Sequence, residues 1–140
     1  MSPESQQLIR NSWTALQPIG DRVVETFYAR LFASNAEIAR LFKADKMAEQ
    51  RKKFAAMLSE IVRVLDRPEL LVSEVAESGR RHGGYGVHDR DYEDVGAALL
   101  WTLEHELGED FTPAVRSAWR EAYTLLAAVM KRAAHSGATA

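Results

Sequence analysis

The 140-residue sequence contains no cysteine. That excludes disulfides, thiolate zinc sites, iron–sulfur clusters, a thiol nucleophile and haem tethered through C-x-x-C-H, so any cofactor must be held another way. Four prolines and eight glycines are few for this length, and they bound long stretches rather than interrupt them. Long hydrophobic runs are missing too. An uncharged apolar run such as Leu125 to Met130 is far short of the roughly 20 residues that cross a bilayer. Met1 to Arg10 is polar and lacks the apolar centre of a secretory signal, so the expected compartment is the cytoplasm, with no membrane contact. Nor does one sign of charge dominate: eighteen Lys and Arg against twenty Asp and Glu give a net charge of −2, which offers no basic field to nucleic acid.

What is present is an ordinary globular composition, 46% hydrophobic and 27% charged. A chain of this size forms one domain, here 1–140, and buries roughly two-thirds of its unfolded surface. Apolar residues recur every three or four positions throughout, which predicts an all-α chain. Ser2 with Pro3 predicts an N-cap and first turn for a helix that buries Ile9, Ser12, Trp13 and Leu16 and stops at Pro18. A second helix, about Gly20 to Ser34, turns Val24, Phe27, Tyr28 and Leu31 inward; Ser34-Asn35 ends it and caps a short segment finishing at Leu41-Phe42. Asp45 is the expected cap of a long helix to about Leu65 with the stripe Met47, Phe54, Met57, Leu58, Ile61 and Leu65, and Gln50 shares that face. Asp66-Arg67-Pro68 separates it from a helix carrying Leu71, Val75, Ser78, Gly79 and His82 on one side, which Gly83, Gly84 and Gly86 are expected to break. Asp89 or Asp91 then caps a helix with Tyr92, Val95, Gly96, Leu99, Leu100, Leu103 and Leu107 inward and Gly108 at its end. Thr112 and Pro113 open the last helix, with Val115, Trp119, Ala122, Leu126, Val129 and Met130 buried; the small polar residues after about His135 are expected to fray.

Two polar residues interrupt these stripes, and they are related by position. Gln50 lies 16 residues before position 66 and His82 lies 16 after it, so in a helical hairpin both sit about 24 Å from the turn, at its open mouth. Helices diverging there leave a crevice with an imidazole on one wall, an amide on the other, and Phe27, Phe42, Phe54, Val87 and Val95 as lining, a shape suited to a flat apolar cofactor. The pattern alone leaves each residue open to a plainer role, since a lone inward histidine or glutamine is often a core residue bonded to the backbone. Non-haem metal binding by His82, His88, Asp89 and Asp91 lacks the H-E-x-x-H motif and any histidine pair at helical spacing. Gly83-Gly84-Tyr85-Gly86 follows a helix instead of preceding one, which makes it a poor phosphate cradle.

Phe27-Tyr28, Phe42, Gln50, Arg80-Arg81-His82, Tyr85-Gly86-Val87, Tyr92, Val95-Gly96, Ala118-Trp119 and Tyr123, taken together over about residues 5 to 132, resemble bacterial single-domain globins and are similar to the haem domain of flavohaemoglobins. The resemblance implies a globin fold, a helical sandwich around a pocket for non-covalent haem b. On this sequence His82 becomes the proximal iron ligand, Phe42 the aromatic wedged on the porphyrin, and Tyr28 with Gln50 the distal pair. Phe54, Tyr85, Val87 and Val95 become pocket lining, and Lys53 and Arg81 candidate propionate partners, although exposed basic residues on helices are usually only solvated. Tyr92 falls where such globins place a tyrosine near the proximal histidine, often with a carboxylate from the last helix. Ala133 and Ala134 occupy the region expected to supply that acid, which makes His82 a weaker electron donor and a peroxidase-like activity less expected.

Bound dioxygen carries partial negative charge and carbon monoxide much less, so two donors imply tight oxygen binding through slow release. Positions 46 to 60 hold no histidine, so the ferrous protein without gas is expected to be five-coordinate. Two functions follow from the resemblance: reversible binding of dioxygen, nitric oxide and carbon monoxide, or nitric oxide dioxygenation with electrons from an external reductase, no flavin or nicotinamide domain being expected before Ala140. A haem-free interaction module is a third. A monomer or weak homodimer is expected, with Trp101 against a partner or the next helix.

Overall fold

The computed structural model describes the backbone of residues 1–84 and 88–139 and the side chains of 1–77 and 88–133. Ser2 accepts a hydrogen bond from the Ser5 amide at 3.1 Å and Pro3 needs no donor, so helix α1 starts cleanly and runs Pro3–Leu16. A single 3₁₀ turn at Pro18 leads into α2, Gly20–Ser34. Asn35 ends α2 and caps the four-residue α3, Ala36–Ala39, by accepting from the Ile38 amide at 3.0 Å. The chain reaches Phe42 through tight turns and then enters α4, Met47–Arg63. Helix α5 is Pro68–Gly84, α6 Asp91–Leu107 and α7 Pro113–Thr139. No strand occurs among the described residues, and no helix there is long and apolar enough to cross a membrane.

Three boundaries differ from the sequence reading. Asp45 does not cap α4; it sits inside a 3₁₀ turn, Ala44–Lys46, whose own hydrogen bond from the Lys46 amide to the Lys43 carbonyl satisfies the entry. Arg90, without a side-chain cap, precedes α6, while Asp91 reaches backward and accepts from the His88 amide at 2.9 Å. Gly83 and Gly84 remain helical, since glycine only weakens a helix by about 1 kcal/mol and does not forbid it. The tail expected to fray after about His135 instead continues α7 as helix to Thr139, since its alanines favour helix. The side chain of Ser78 and those beyond Ala133 lie outside the described residues.

The core is continuous. Ile9, Trp13 and Leu16 of α1 meet Trp119 and Ala122 of α7, with the Trp119 indole donating to Ser12 Oγ at 2.8 Å. Helix α2 packs on α6, where Glu106 accepts from Arg22 and from Thr26. Gly96 of α6 lets the Tyr123 ring approach so closely that a Cβ there would lie 2.5 Å from it. Helix α5 packs chiefly along α7 and touches α4 far less, so α4 and α5 part company after the turn at Asp66.

Candidate functional site

The parting of α4 and α5 exposes an aromatic nest built by α2. Phe27 and Tyr28 are adjacent on α2, 2% and 5% exposed; Phe27 stacks on Phe54 of α4 at 4.5 Å and 5°, which fixes how the two helices meet. Phe27 is therefore core, lying behind the crevice lining rather than in it. Tyr28 is enclosed edge-on by Phe42 at 5.8 Å and Phe54 at 5.5 Å, with Phe32, one helical turn further along α2, at 5.6 Å. Phe32 also touches Phe42 and was not singled out from sequence; its i+4 spacing from Tyr28 was the available signal.

Gln50 arrives from the first turn of α4 and its Nε2 donates to the Tyr28 hydroxyl at 3.1 Å. The phenol oxygen thus acts as acceptor, which leaves its own proton to be given elsewhere. Burial pushes the Tyr28 phenol up to about 12, against a smaller downward pull from Gln50, so the group stays protonated at neutral pH. Beside the pair opens a cavity of about 210 Å³ lined by Leu41, Phe42, Lys43, Lys46, Met47 and Gln50. Tyr28 meets Gln50, Phe42 and Phe54, and of these four residues Phe42 and Gln50 line the cavity. Lys53 stands apart, exposed and paired with Glu49 at 3.6 Å along its own helix.

On the other side less is described. The His82 and Arg81 side chains, and all of Tyr85 and Val87, lie outside the described residues. Val95 is half-buried against the core, and Tyr92, at the start of α6, is 5% exposed. Among the described residues the Tyr92 hydroxyl has no hydrogen-bond partner, its phenol is pushed up to about 12 by burial and by Asp89 and Asp91, and the Lys131 ammonium lies 5.8 Å from its ring. Ala133 is buried, and no acid among the described residues of α7 meets Tyr92. Asn35 ties the two sides together: besides capping α3 it donates to Asp91 at 3.2 Å and Asp94 at 2.8 Å, pinning the α2–α3 corner to the start of α6. Trp101, exposed on α6, lies 4.6 Å from the Arg30 guanidinium of α2 and stacks with His105 of its own helix. Among the described residues no group of three or more His, Asp or Glu can hold a metal ion.

An all-helical protein with an aromatic crevice governed by a phenol–amide pair is the class this geometry defines. The family model for globins matches residues 25–130, and the chain belongs to the globin family. It is 32% identical over 132 residues to the flavohemoprotein of Xylella fastidiosa, and 30% identical over 129 residues to that of Bordetella pertussis. Those matches cover 93% and 91% of this chain but 33% and 32% of the relatives, so the chain spans about a third of their length. A solved bacterial globin from Campylobacter jejuni aligns over 99% of this chain and 100% of that one, with a TM-score of 0.87 at 25% identity. Family membership implies haem as cofactor and diatomic gases such as dioxygen as ligands.

The residues present fit such a group. A buried phenol with an unassigned proton beside a partly apolar cavity, and a second buried phenol with no partner, are arrangements that cost about 1 to 3 kcal/mol each unless something else completes them. The cavity is smaller than the roughly 300–1,000 Å³ of a full ligand pocket. The wall expected from His82 is not among the described residues.

Proposed function

We propose that this protein binds haem b non-covalently and uses it for reversible binding of dioxygen and other diatomic gases, with high oxygen affinity set by Tyr28 and Gln50. The observation that carries the reading is the Gln50 Nε2 to Tyr28 hydroxyl hydrogen bond of 3.1 Å, which frees the phenol proton. His82 would hold the iron, Phe42, Phe54, Val95, Tyr85 and Val87 the porphyrin, and Lys53 and Arg81 its carboxylates. When bound, haem would supply the iron atom that holds a diatomic gas.

The chain's own residues decide which gas is favoured. Tyr28 donates its proton to a ligand carrying partial negative charge, and the surrounding rings keep water from competing for that proton. Gln50 holds the phenol oxygen from behind and keeps a second amide hydrogen for the ligand itself. Tyr92 would stand near His82 with no carboxylate partner among the described residues, which would leave His82 a neutral imidazole rather than an imidazolate-like donor. The same reading takes the protein as a cytoplasmic monomer or weak dimer.

The test is an absorption spectrum of purified protein loaded with hemin, reduced, and exposed in turn to dioxygen, carbon monoxide and nitric oxide. A Soret band that shifts with each gas, and that His82→Ala removes, is expected. A colourless protein, or unchanged pigment and gas uptake in His82→Ala, overturns the reading. A second reading, nitric oxide dioxygenation, is favoured by the likeness to proteins called flavohemoproteins. Repeated nitric oxide consumption with an added reductase, rather than one round per protein, would mark it.

A further inference from the structure

Resting on the haem reading, we infer that Asp91 is a positioning residue of the crevice: its one carboxylate ties the chain beyond α5, past His82, to the α2–α3 corner between Tyr28 and Phe42. The need for such a tie follows from the packing. Helix α5 rests on α7 and barely meets α4, so contact between α4 and α5 does not set how far apart the two walls stand. Helix α6 supplies the fixed point, with Thr102 and Leu103 fully buried and one side laid along α2. Asp91 opens that helix and is itself 3% exposed.

Both oxygens of Asp91 are taken, by donors from opposite sides. Oδ2 accepts from the amide of His88, which follows His82 by six positions, at 2.9 Å, and Oδ1 accepts from Asn35 Nδ2 at 3.2 Å. Asn35 passes the constraint on. Its Oδ1 accepts from the Ile38 amide at 3.0 Å, and the Leu41 and Phe42 amides donate to the Ile38 and Ala39 carbonyls at 2.9 and 3.2 Å, so a run of hydrogen bonds leads from His88 to Phe42. Asn35 Nδ2 also donates to Asp94 at 2.8 Å, which stops the amide from turning.

A carboxylate is the group this place requires. An amide there offers one acceptor oxygen to two donors, so either the His88 amide or Asn35 loses its partner. The first turn of α6, with its unpaired amides and positive dipole end, favours the buried negative charge. A second link crosses the same seam, Arg90 with Glu37 at 3.3 Å, but its side chains are 71% and 70% exposed, where an ion pair contributes little. The buried tie therefore does the positioning and the exposed pair does not.

The experiment compares Asp91→Asn with Ser12→Ala, which removes the acceptor of the Trp119 indole in the α1–α7 core and so lowers the urea midpoint away from the crevice. In hemin-loaded protein, Asp91→Asn is expected to speed hemin loss to excess apomyoglobin by about tenfold or more, the scale seen when a residue that orients a metal ligand is removed, and to shift the iron–histidine stretching band of the reduced form. Ser12→Ala and Arg90→Gln are expected to change hemin loss by less than about twofold and to leave that band in place. In the haem-free protein, Asn35→Ser keeps a hydroxyl cap on α3 but cannot reach Asp91, and is expected to speed hydrogen exchange at the His88 amide, across the seam, by at least about fivefold. Hemin loss no faster than in Ser12→Ala, an unmoved band, or unchanged His88 exchange in Asn35→Ser overturns the proposal; the last reads the tie even where Asp91→Asn fails to fold. The Soret band of the unsubstituted protein reports haem binding separately, so failure of the tie and failure of the haem reading are told apart.

Discussion

Removing one oxygen atom, Tyr28→Phe, tests the gas-binding argument at its centre. The ring is 5% exposed and held edge-on by Phe27 at 5.0 Å, Phe54 at 5.5 Å and Phe42 at 5.8 Å, so a phenylalanine keeps those contacts and its position. What disappears is the hydroxyl and the acceptor for Gln50, and Gln50 is half-buried at the cavity edge, where its amide can turn to water. Stability should therefore change by no more than about 1 kcal/mol. A hydrogen bond to a charged acceptor contributes about 1.5 to 3 kcal/mol, which converts to a roughly 10- to 150-fold faster release of dioxygen. Carbon monoxide, with little charge to stabilise, should leave at nearly its original rate. The assay is stopped-flow displacement of dioxygen by carbon monoxide, beside carbon monoxide displacement by nitric oxide, with thermal melts as the folding control. Gln50→Leu should act in the same direction but more weakly, because it leaves the Tyr28 proton in place. If neither variant changes oxygen release, or if both gases speed up alike, the phenol is not the donor.

Gly96→Ala should lower stability by about 2 kcal/mol in urea titrations, since overpacking against the Tyr123 ring at 2.5 Å exceeds the roughly 1 kcal/mol that alanine gains in helix propensity; an unchanged midpoint would show that the ring moves freely. Asn35→Ala removes a helix cap and the donor to two carboxylates, an expected loss of about 2 to 4 kcal/mol. Asn35→Asp keeps the cap but adds a third carboxylate, so it should melt lower still, and a higher melting temperature than Asn35→Ala would contradict the strap. The alkaline limb has a defined sign: Tyr28 keeps its proton to about pH 12 when folded but releases it near 10.0 when unfolded, so its contribution is complete below pH 10 and lost between 10 and 12. That loss is about 2 to 3 kcal/mol and disappears in Tyr28→Phe, which chemical denaturation at pH 9 and pH 11.5 can check.

How much of this was legible in the sequence depends on the range of the interaction that decides each feature. Helix starts governed by neighbours three residues apart, Ser2 with Ser5, Asn35 with Ile38 and Thr112 with Val115, could be read directly, because the side-chain acceptor and the orphan amide lie in one turn. Asp45 and Asp91 misled for the same reason. Each is the right residue type in the right place, but a 3₁₀ turn and a backward bond to His88 take precedence over capping. Periodicity turned Tyr28 and Gln50 inward, and the resemblance paired them; the direction of their hydrogen bond, which decides where the phenol proton goes, appears only in coordinates.

The features that escaped join residues far apart in sequence. Asn35 and Asp91 are 56 positions apart, and no pattern along either helix says that an amide will meet a carboxylate there. Lys131 over the Tyr92 ring is a similar case, and it bears on function. The sequence put Ala133 and Ala134 where the last helix was expected to supply an acid; the structure shows a cation approaching Tyr92, whose phenol has no acceptor among the described residues. A carboxylate in that place would draw a proton toward itself and enrich the histidine, whereas an ammonium over a ring face is attracted by the ring and offers nothing to accept the hydroxyl proton. On the proposed haem reading, the proximal side would withhold electron density while the distal side held the ligand by donation, a division that suits keeping dioxygen intact and gives no help to cleaving it.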